Sequence, residues 1–272
     1  MADRPAGGPA ELTPDLTAAA AADPRFCEGA RAWLRWGIGS AGADEAWHDP
    51  SSGVLGVVRR RRAYGSGLVV VGPDAGAGEV VGAVGRLAMQ ADIDFVTVER
   101  GPVADALRAA RPDLPAAADW DWMWTQVSPA PVRGQDRVVP LGEADHAAVT
   151  GLLAVASPRH SAVPGEAAVR RWVGVRDAVG GLLACGADYE AVPGVPLLAS
   201  IAVAPAARGQ GLGAAVTAAL TRLAFAAGTP AVTIDLYADN HGAHRLYEGL
   251  GFRTGLRLSS FRLAGADARR TG

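Results

Sequence analysis

The sequence contains no lysine; all 26 of its basic residues other than histidine are arginine. That absence excludes a Schiff-base lysine and a Walker-type phosphate lysine. Cysteine is scarce, with Cys27 and Cys185 far apart, one in each half, so no disulfide framework is implied. No stretch reaches 18 uninterrupted apolar residues, so no membrane span is expected. The segment from Met1 to Pro14 lacks the basic start and apolar middle of a signal peptide. The formal net charge is only −2, which argues against general affinity for nucleic acid or anionic membranes. Together these absences predict a cytoplasmic protein with two free thiols, and with neither nucleic acid nor membrane as partner.

What is present is enough apolar material, 49% of 272 residues, for one large or two ordinary domains. Residues 1–24 read as a flexible leader of Ala, Pro and Asp. Residues 25–127 read as an N-terminal domain. In it Glu28–Trp36 and Val103–Ala110 have helical character, and Val54–Val58, Leu68–Val71 and Phe95–Glu99 that of strands around a polar Arg59–Gly67 segment. Residues 128–136, opening Ser128-Pro129-Ala130-Pro131, read as a linker. Residues 137–265 read as a second domain and 266–272 as a tail. In the second domain the pattern predicts helices at Ala144–Ala156 and Glu166–Trp172. Strands follow at Gly181–Tyr189 and Leu197–Val203 around a Pro193-Gly194 turn. An amphipathic helix, Ala214–Ala227, comes next, with Leu212, Val216, Leu220 and Leu223 on one face. Val232, Ile234 and Leu236 alternate with polar residues as in a strand. Asn240 can cap a short helix that Gly249 or Gly251 ends, and Phe252–Leu263 closes the domain as strand. This order is that of an α/β or α+β mixed sheet.

The most informative segment is Arg208-Gly209-Gln210-Gly211-Leu212-Gly213, lying between a strand and a helix. Its glycines leave backbone N–H groups unobstructed at the positive end of the new helix, which makes an anion site. A phosphorylated cofactor is the most economical ligand.

This Arg-x-x-Gly-x-Gly segment resembles the acyl-CoA pyrophosphate loop of the GCN5-related N-acetyltransferases (GNAT). The run Asp239-Asn240-His241-Gly242-Ala243-His244-Arg245-Leu246-Tyr247-Glu248-Gly249-Leu250-Gly251-Phe252 resembles the second signature of that superfamily. The close match covers about Leu197 to Phe252, and element order extends it over 137–263. The resemblance implies a GNAT-like acyltransferase fold and transfer of acetyl from acetyl-CoA, as co-substrate and without a metal, to a small-molecule or peptide amine. The length of the first half suggests a degenerate second copy, giving two tandem domains; oligomeric state is not indicated.

On this reading the cofactor would contact Ile201, Ala202 and Val203 through their backbone, as an added strand. The pyrophosphate would meet Arg208, Gly209, Gln210, Gly211, Leu212, Gly213 and Ala214. Asn240, Ala243 and Tyr247 would complete the set, Asn240 and Tyr247 sharing a face two helical turns apart. Tyr247 is the candidate general acid to the departing thiolate, because a phenol near about 10 and a thiol near about 8.5 are matched closely enough. Several family members carry a glutamate as base on the strand before the loop. Here that strand is Leu197-Leu198-Ala199-Ser200-Ile201-Ala202-Val203, with no carboxylate. Glu190 is the candidate base carried forward, with Asp188 and His160 as the other options.

Other features have plainer readings. Arg62-Ala63-Tyr64-Gly65-Ser66-Gly67 repeats the loop pattern but precedes a β-type run, so it reads as a chance match. Trp120, Trp122 and Trp124 alternate along a strand as core or as a pocket wall. His241 and His244 lack companion ligands for a metal. Two other functions stay open: a non-catalytic acyl-CoA sensor on the same fold, and an NAD(P)-dependent Rossmann oxidoreductase, since Gly209–Ala214 also fits G-x-G-x-x-[GA] with Asp235 downstream.

Overall fold

The computed structural model describes residues 22–38, 45–48, 53–61, 65–72, 77–88 and 93–263. Most of the predicted leader, the 266–272 tail and Arg62–Tyr64 of the first Arg-x-x-Gly-x-Gly run lie outside these residues. The chain divides into two compact units. One holds 1–122, 237–239 and 254–272; the other holds 123–236 and 240–253. Among the described residues no helix is long and apolar enough to cross a membrane.

The first unit begins with helix α1 (Glu28–Ala32), which runs into a π-helical turn at Trp33–Ile38. Strands β1 (Glu45–His48), β2 (Leu55–Arg61) and β3 (Gly65–Val71) pair antiparallel in succession. Arg59–Arg61 therefore extend a strand that composition alone reads as ending at Val58. Helix α2 (Ala77–Ala88) crosses over to β4 (Phe95–Glu99), parallel to β3 at four successive pairs from Gly67↔Phe95 to Val70↔Val98. Helix α3 (Pro102–Ala110) leads to β5 (Ala116–Thr125). The last strand of the chain, β11 (Arg253–Arg262), pairs antiparallel with β4. Val70, Val96, Val98, Leu107 and Phe261 centre the core of this unit. The tryptophans of β5 belong to packing: Trp122 and Trp124 are buried, and Trp120 donates its indole N–H to Ser260 Oγ at 2.9 Å. Asp121 and Met123 are buried too, so both faces of β5 are covered.

The second unit opens with β6 (Val139–Leu141) and helix α4 (His146–Ala156). Then come β7 (Val169–Arg176), β8 (Leu182–Val192) and β9 (Val195–Val203), antiparallel in succession from β6. The helix expected at Glu166–Trp172 is not formed, because Val169–Arg176 is strand. Trp172, Val173 and Val175 are buried and pair with β8, and their bulky side chains suit that covered surface better than a surface helix. Helix α5 (Leu212–Ala226) follows β9, then β10 (Val232–Tyr237) parallel to β9, then α6 (His241–Gly249). Gly186 explains how closely α5 lies on the sheet. A Cβ there would meet Ile201 Cδ1 at 2.5 Å and Val216 Cγ1 at 2.7 Å.

Candidate active site

The site is built around the way β9 leaves its neighbours. On one side, β8 pairs Cys185↔Ala202 and Ala187↔Ala199, so Ser200 and Ile201 together oppose Gly186. This is a β-bulge, and Ser200 takes φ +53°, the one positive φ outside glycine among the described residues. On the other side, β9 pairs with β10 only at Leu197↔Thr233 and Leu198↔Ile234. Ala199–Val203 and Asp235–Tyr237 run on as strand beyond that pairing. The backbone of Ile201, Ala202 and Val203 therefore borders a trough whose apex lies next to the bulge, where an extended ligand can add as a strand.

At the far end of the trough the chain turns through a 3-10 turn, Pro205–Ala207, into the glycine loop. Arg208, Gly209, Gln210 and Gly211 are exposed. Gly209 has φ +78° and Gly211 φ +77°, and Gly211 is the N-cap of α5 with no side-chain capping bond. A helix leaves its first N–H groups without intrahelical acceptors, so those of Leu212, Gly213 and Ala214 lie at the positive end of a 15-residue helix. Gly213 also lets α6 approach, since a Cβ there would meet Leu246 Cδ1 at 3.2 Å.

On α6, Asn240 Oδ1 accepts from the Ala243 N–H at 3.1 Å and caps the helix. Tyr247 is 6% exposed, and its ring sits 6.1 Å from that of Phe252 at 54°. It belongs to the core cluster that includes Leu198, Leu212 and Leu236, with Ile201 and Val203 packed against it. Burial pushes its phenol well above the ordinary range. The group therefore stays protonated through neutral pH, but it is less closely matched to a thiol than an exposed phenol would be.

The carboxylates of β8 are engaged in hydrogen bonds and ion pairs. Glu190 lies beside the Pro193-Gly194 turn, on the side of Leu198 where β9 and β10 remain paired. Its Oε1 accepts from Gly194 N at 3.1 Å and meets Arg170 at 3.3 Å. That geometry places Glu190, the candidate base, at the turn with Gly194 and Arg170. Asp188 is buried, with one oxygen 2.9 Å from Arg170 and the other 3.3 Å from Arg171.

The segment between α4 and β7 enters the site in a way the sequence does not signal. Ser200 Oγ donates to Ala162 O at 2.9 Å and accepts from Ala162 N at 2.8 Å. Arg208 Nη2 donates to Ala156 O at 3.4 Å. Glu166 accepts from Val163 N at 3.4 Å and from the Tyr189 hydroxyl at 3.1 Å. His160, within this segment, donates from Nδ1 to Ser157 O at 2.8 Å. The one available clue is that Ser200 is the single polar residue in Leu197–Val203.

The dehydrogenase alternative does not fit this frame. In the second unit β6 to β9 pair antiparallel in succession before β9 pairs parallel with β10, whereas a dinucleotide fold needs a largely parallel sheet.

Residues 158–252 match the model of the acetyltransferase (GNAT) family. Solved structures of similar fold include a GNAT-family protein from Novosphingobium aromaticivorans, 22% identical over 75% of this chain and 86% of that one, with TM-score 0.50. A GCN5-related N-acetyltransferase from Kribbella flavida is 18% identical, covers 78% and 87%, and has TM-score 0.53. One from Sphaerobacter thermophilus is 16% identical, covers 93% and 90%, and has TM-score 0.55. At these identities the likeness is one of fold.

Proposed function

Because residues 158–252 match the model of the GNAT acetyltransferase family, we propose that the chain is an acetyl-CoA-dependent N-acetyltransferase acting on a primary amine. The observation that carries this is the continuous path from the β9–β10 trough into the glycine loop. The pantetheine arm lies along Ile201–Val203, and the pyrophosphate accepts from N–H groups between Gly209 and Ala214. The amine nitrogen attacks the thioester carbonyl directly, the C–S bond breaks, and Tyr247 hands a proton to the thiolate. The acceptor is a small-molecule or peptide amine. A mildly acidic chain of net charge −2 favours a cationic one.

The first unit fits a second copy of the fold. Both units run hairpin, crossover helix, parallel strand, helix. They differ where it matters for a cofactor. The β3–β4 pair is closed at four successive positions, while β9 and β10 pair at two and then part. We assign no cofactor and no chemistry to the first unit.

The test is a thermal melt followed by turnover. Acetyl-CoA raises the melting temperature by mass action on the native state, and NAD(H) and NADP(H) do not. Release of free thiol from acetyl-CoA against a panel of small amines and peptides then identifies the acceptor. Stabilisation by a nicotinamide cofactor alone would overturn the assignment. Cofactor binding with no turnover on any amine favours the acyl-CoA sensor on the same fold.

A further inference from the structure

We propose that Glu166 receives the protonated nitrogen of the acceptor, which makes the acceptor a cationic primary amine with no carboxylate beside that nitrogen. The inference rests on the acetyltransferase reading and adds the acceptor's side of the site. Glu166 lies in the segment between α4 and β7 that Ser200 holds. Its Oε2 accepts from Val163 N at 3.4 Å, and Val163 shares a peptide bond with Ala162, whose carbonyl oxygen is 2.9 Å from Ser200 Oγ. Those contacts keep the carboxylate within about 9 Å of Ser200 Oγ, at the bulge. Its Oε1 accepts from the Tyr189 hydroxyl at 3.1 Å, and Tyr189 pairs with Leu197, one residue before β9 makes its last pair with β10. The carboxylate is thus tied from two directions to the stretch of β9 where the strands part.

Alternation along the strands sets the face. Tyr189 and Ala187 are two apart on β8, and both pack with Ala162, Ala199 and the α4 residues Val149 and Leu153. Leu198 belongs instead to the cluster with Val216 and Leu220 of α5. With the cofactor's phosphates at the start of α5, the α4 face is left for the acceptor. The charge there is uncompensated. Asp188 and Glu190 each face arginine, whereas both bonds of Glu166 come from neutral donors and no cation is paired with it among the described residues. A carboxylate has about four lone-pair sites, so room remains for an ammonium. Glu166 is half-buried, where such a pair is screened less than on open surface. The same charge repels an acceptor carboxylate, which disfavours free amino acids. Trp172 gives a second sign of a ligand on this face. It stands in one row with Ala187 and Ala199 across the sheet, is 4% exposed, and its indole N–H has no acceptor. A buried donor left unpaired is costly, and an oxygen of a bound acceptor can supply the partner.

Two thioethers of CoA test this without a known acceptor. S-(2-aminoethyl)-CoA carries an ammonium two carbons from the sulfur, and S-propyl-CoA is its uncharged analogue of the same length. Both are titrated calorimetrically, beside acetyl-CoA, into the parent chain and into Glu166→Gln, which keeps an oxygen for the Tyr189 hydroxyl. The parent chain should prefer the aminoethyl compound by about 10-fold or more, the scale of a charge-assisted hydrogen bond. Glu166→Gln should lose that preference while binding acetyl-CoA and S-propyl-CoA as the parent does. No preference in the parent chain, or a preference that survives in Glu166→Gln, overturns the role of Glu166 and leaves the enzyme assignment standing. Loss of acetyl-CoA binding in Glu166→Gln overturns it too, because the carboxylate then serves the fold or the cofactor. A parent chain that binds neither acetyl-CoA nor either thioether overturns both readings.

Discussion

Ser200 and Ala162 are joined by two hydrogen bonds, Oγ to the carbonyl at 2.9 Å and the amide to Oγ at 2.8 Å, across 38 residues of sequence. Ala162 is fully buried and Ser200 nearly so, so neither backbone group of Ala162 can turn to water when the hydroxyl is lost. Ser200→Ala should cost about 2–3 kcal/mol, the expense of stranding buried polar groups. Chemical denaturation checks this. A change under about 0.5 kcal/mol would mean that the 157–168 segment is not held through this contact.

Gly211 and Gly228 separate backbone strain from ligand contact. Their φ values are +77° and +84°, and neither has an atom within 4 Å of an added Cβ. Alanine at either position should destabilise the fold by a similar amount, about 1 kcal/mol. Only Gly211→Ala should weaken acetyl-CoA binding beyond that loss, because only Gly211 lies in the loop at the N-terminus of α5. Calorimetric titration of both variants checks it. Equal affinities would remove Gly211 from the cofactor contact.

Tyr247→Phe keeps the ring packed against Phe252 and removes only the hydroxyl. With no hydrogen bond of that hydroxyl to lose among the described contacts, melting temperature and acetyl-CoA affinity should stay near those of the parent chain. Turnover should fall about 10²-fold, the scale of losing a positioned proton donor. A tyrosine that only packs predicts unchanged turnover per folded molecule.

The two thiols should differ sharply. Cys27 is exposed, while Cys185 is fully buried, and burial pushes its thiol up to about 12. A thiol reagent at neutral pH should count one reactive cysteine in the native protein and two after unfolding. The same shift has a sign in stability. Above about 9 the unfolded chain gives up the Cys185 proton while the native chain keeps it, so stability falls as pH rises from about 9 towards about 12. Cys185→Ala should flatten that alkaline slope; an unchanged slope would assign it to other groups.

Local signals carried much of the second unit. The glycine loop, the α5 stripe and the Asn240 cap each depend on residues close together in sequence, and the structure has them within a few positions of the sequence reading, except that Leu223 is exposed while Leu212, Val216 and Leu220 are buried. Signals that depend on pairing were not legible. Val169–Arg176 reads as helix in part until β6 and β8 flank it. Helix α2 is hidden by Gly78, Gly82 and Gly85, which weaken any helical reading. Glu190 was attractive as a carboxylate on the strand preceding β9, yet the β8–β9 register sets it at the turn. The bulge at Ser200 and the anchoring of Ala156 and Ala162 arise from register and from contacts across 52 and 38 residues, which no local pattern encodes.

The most direct measurement is amide hydrogen exchange with and without acetyl-CoA. The account places new hydrogen-bond acceptors along the unpaired edge of β9 and over the start of α5. Protection should therefore rise in Ala199–Val203 and in Gly209–Ala214, with β3 and β4 of the first unit unchanged. Protection by acetyl-CoA that left both β9 and the glycine loop unaffected, or that fell on the first unit instead, would contradict it.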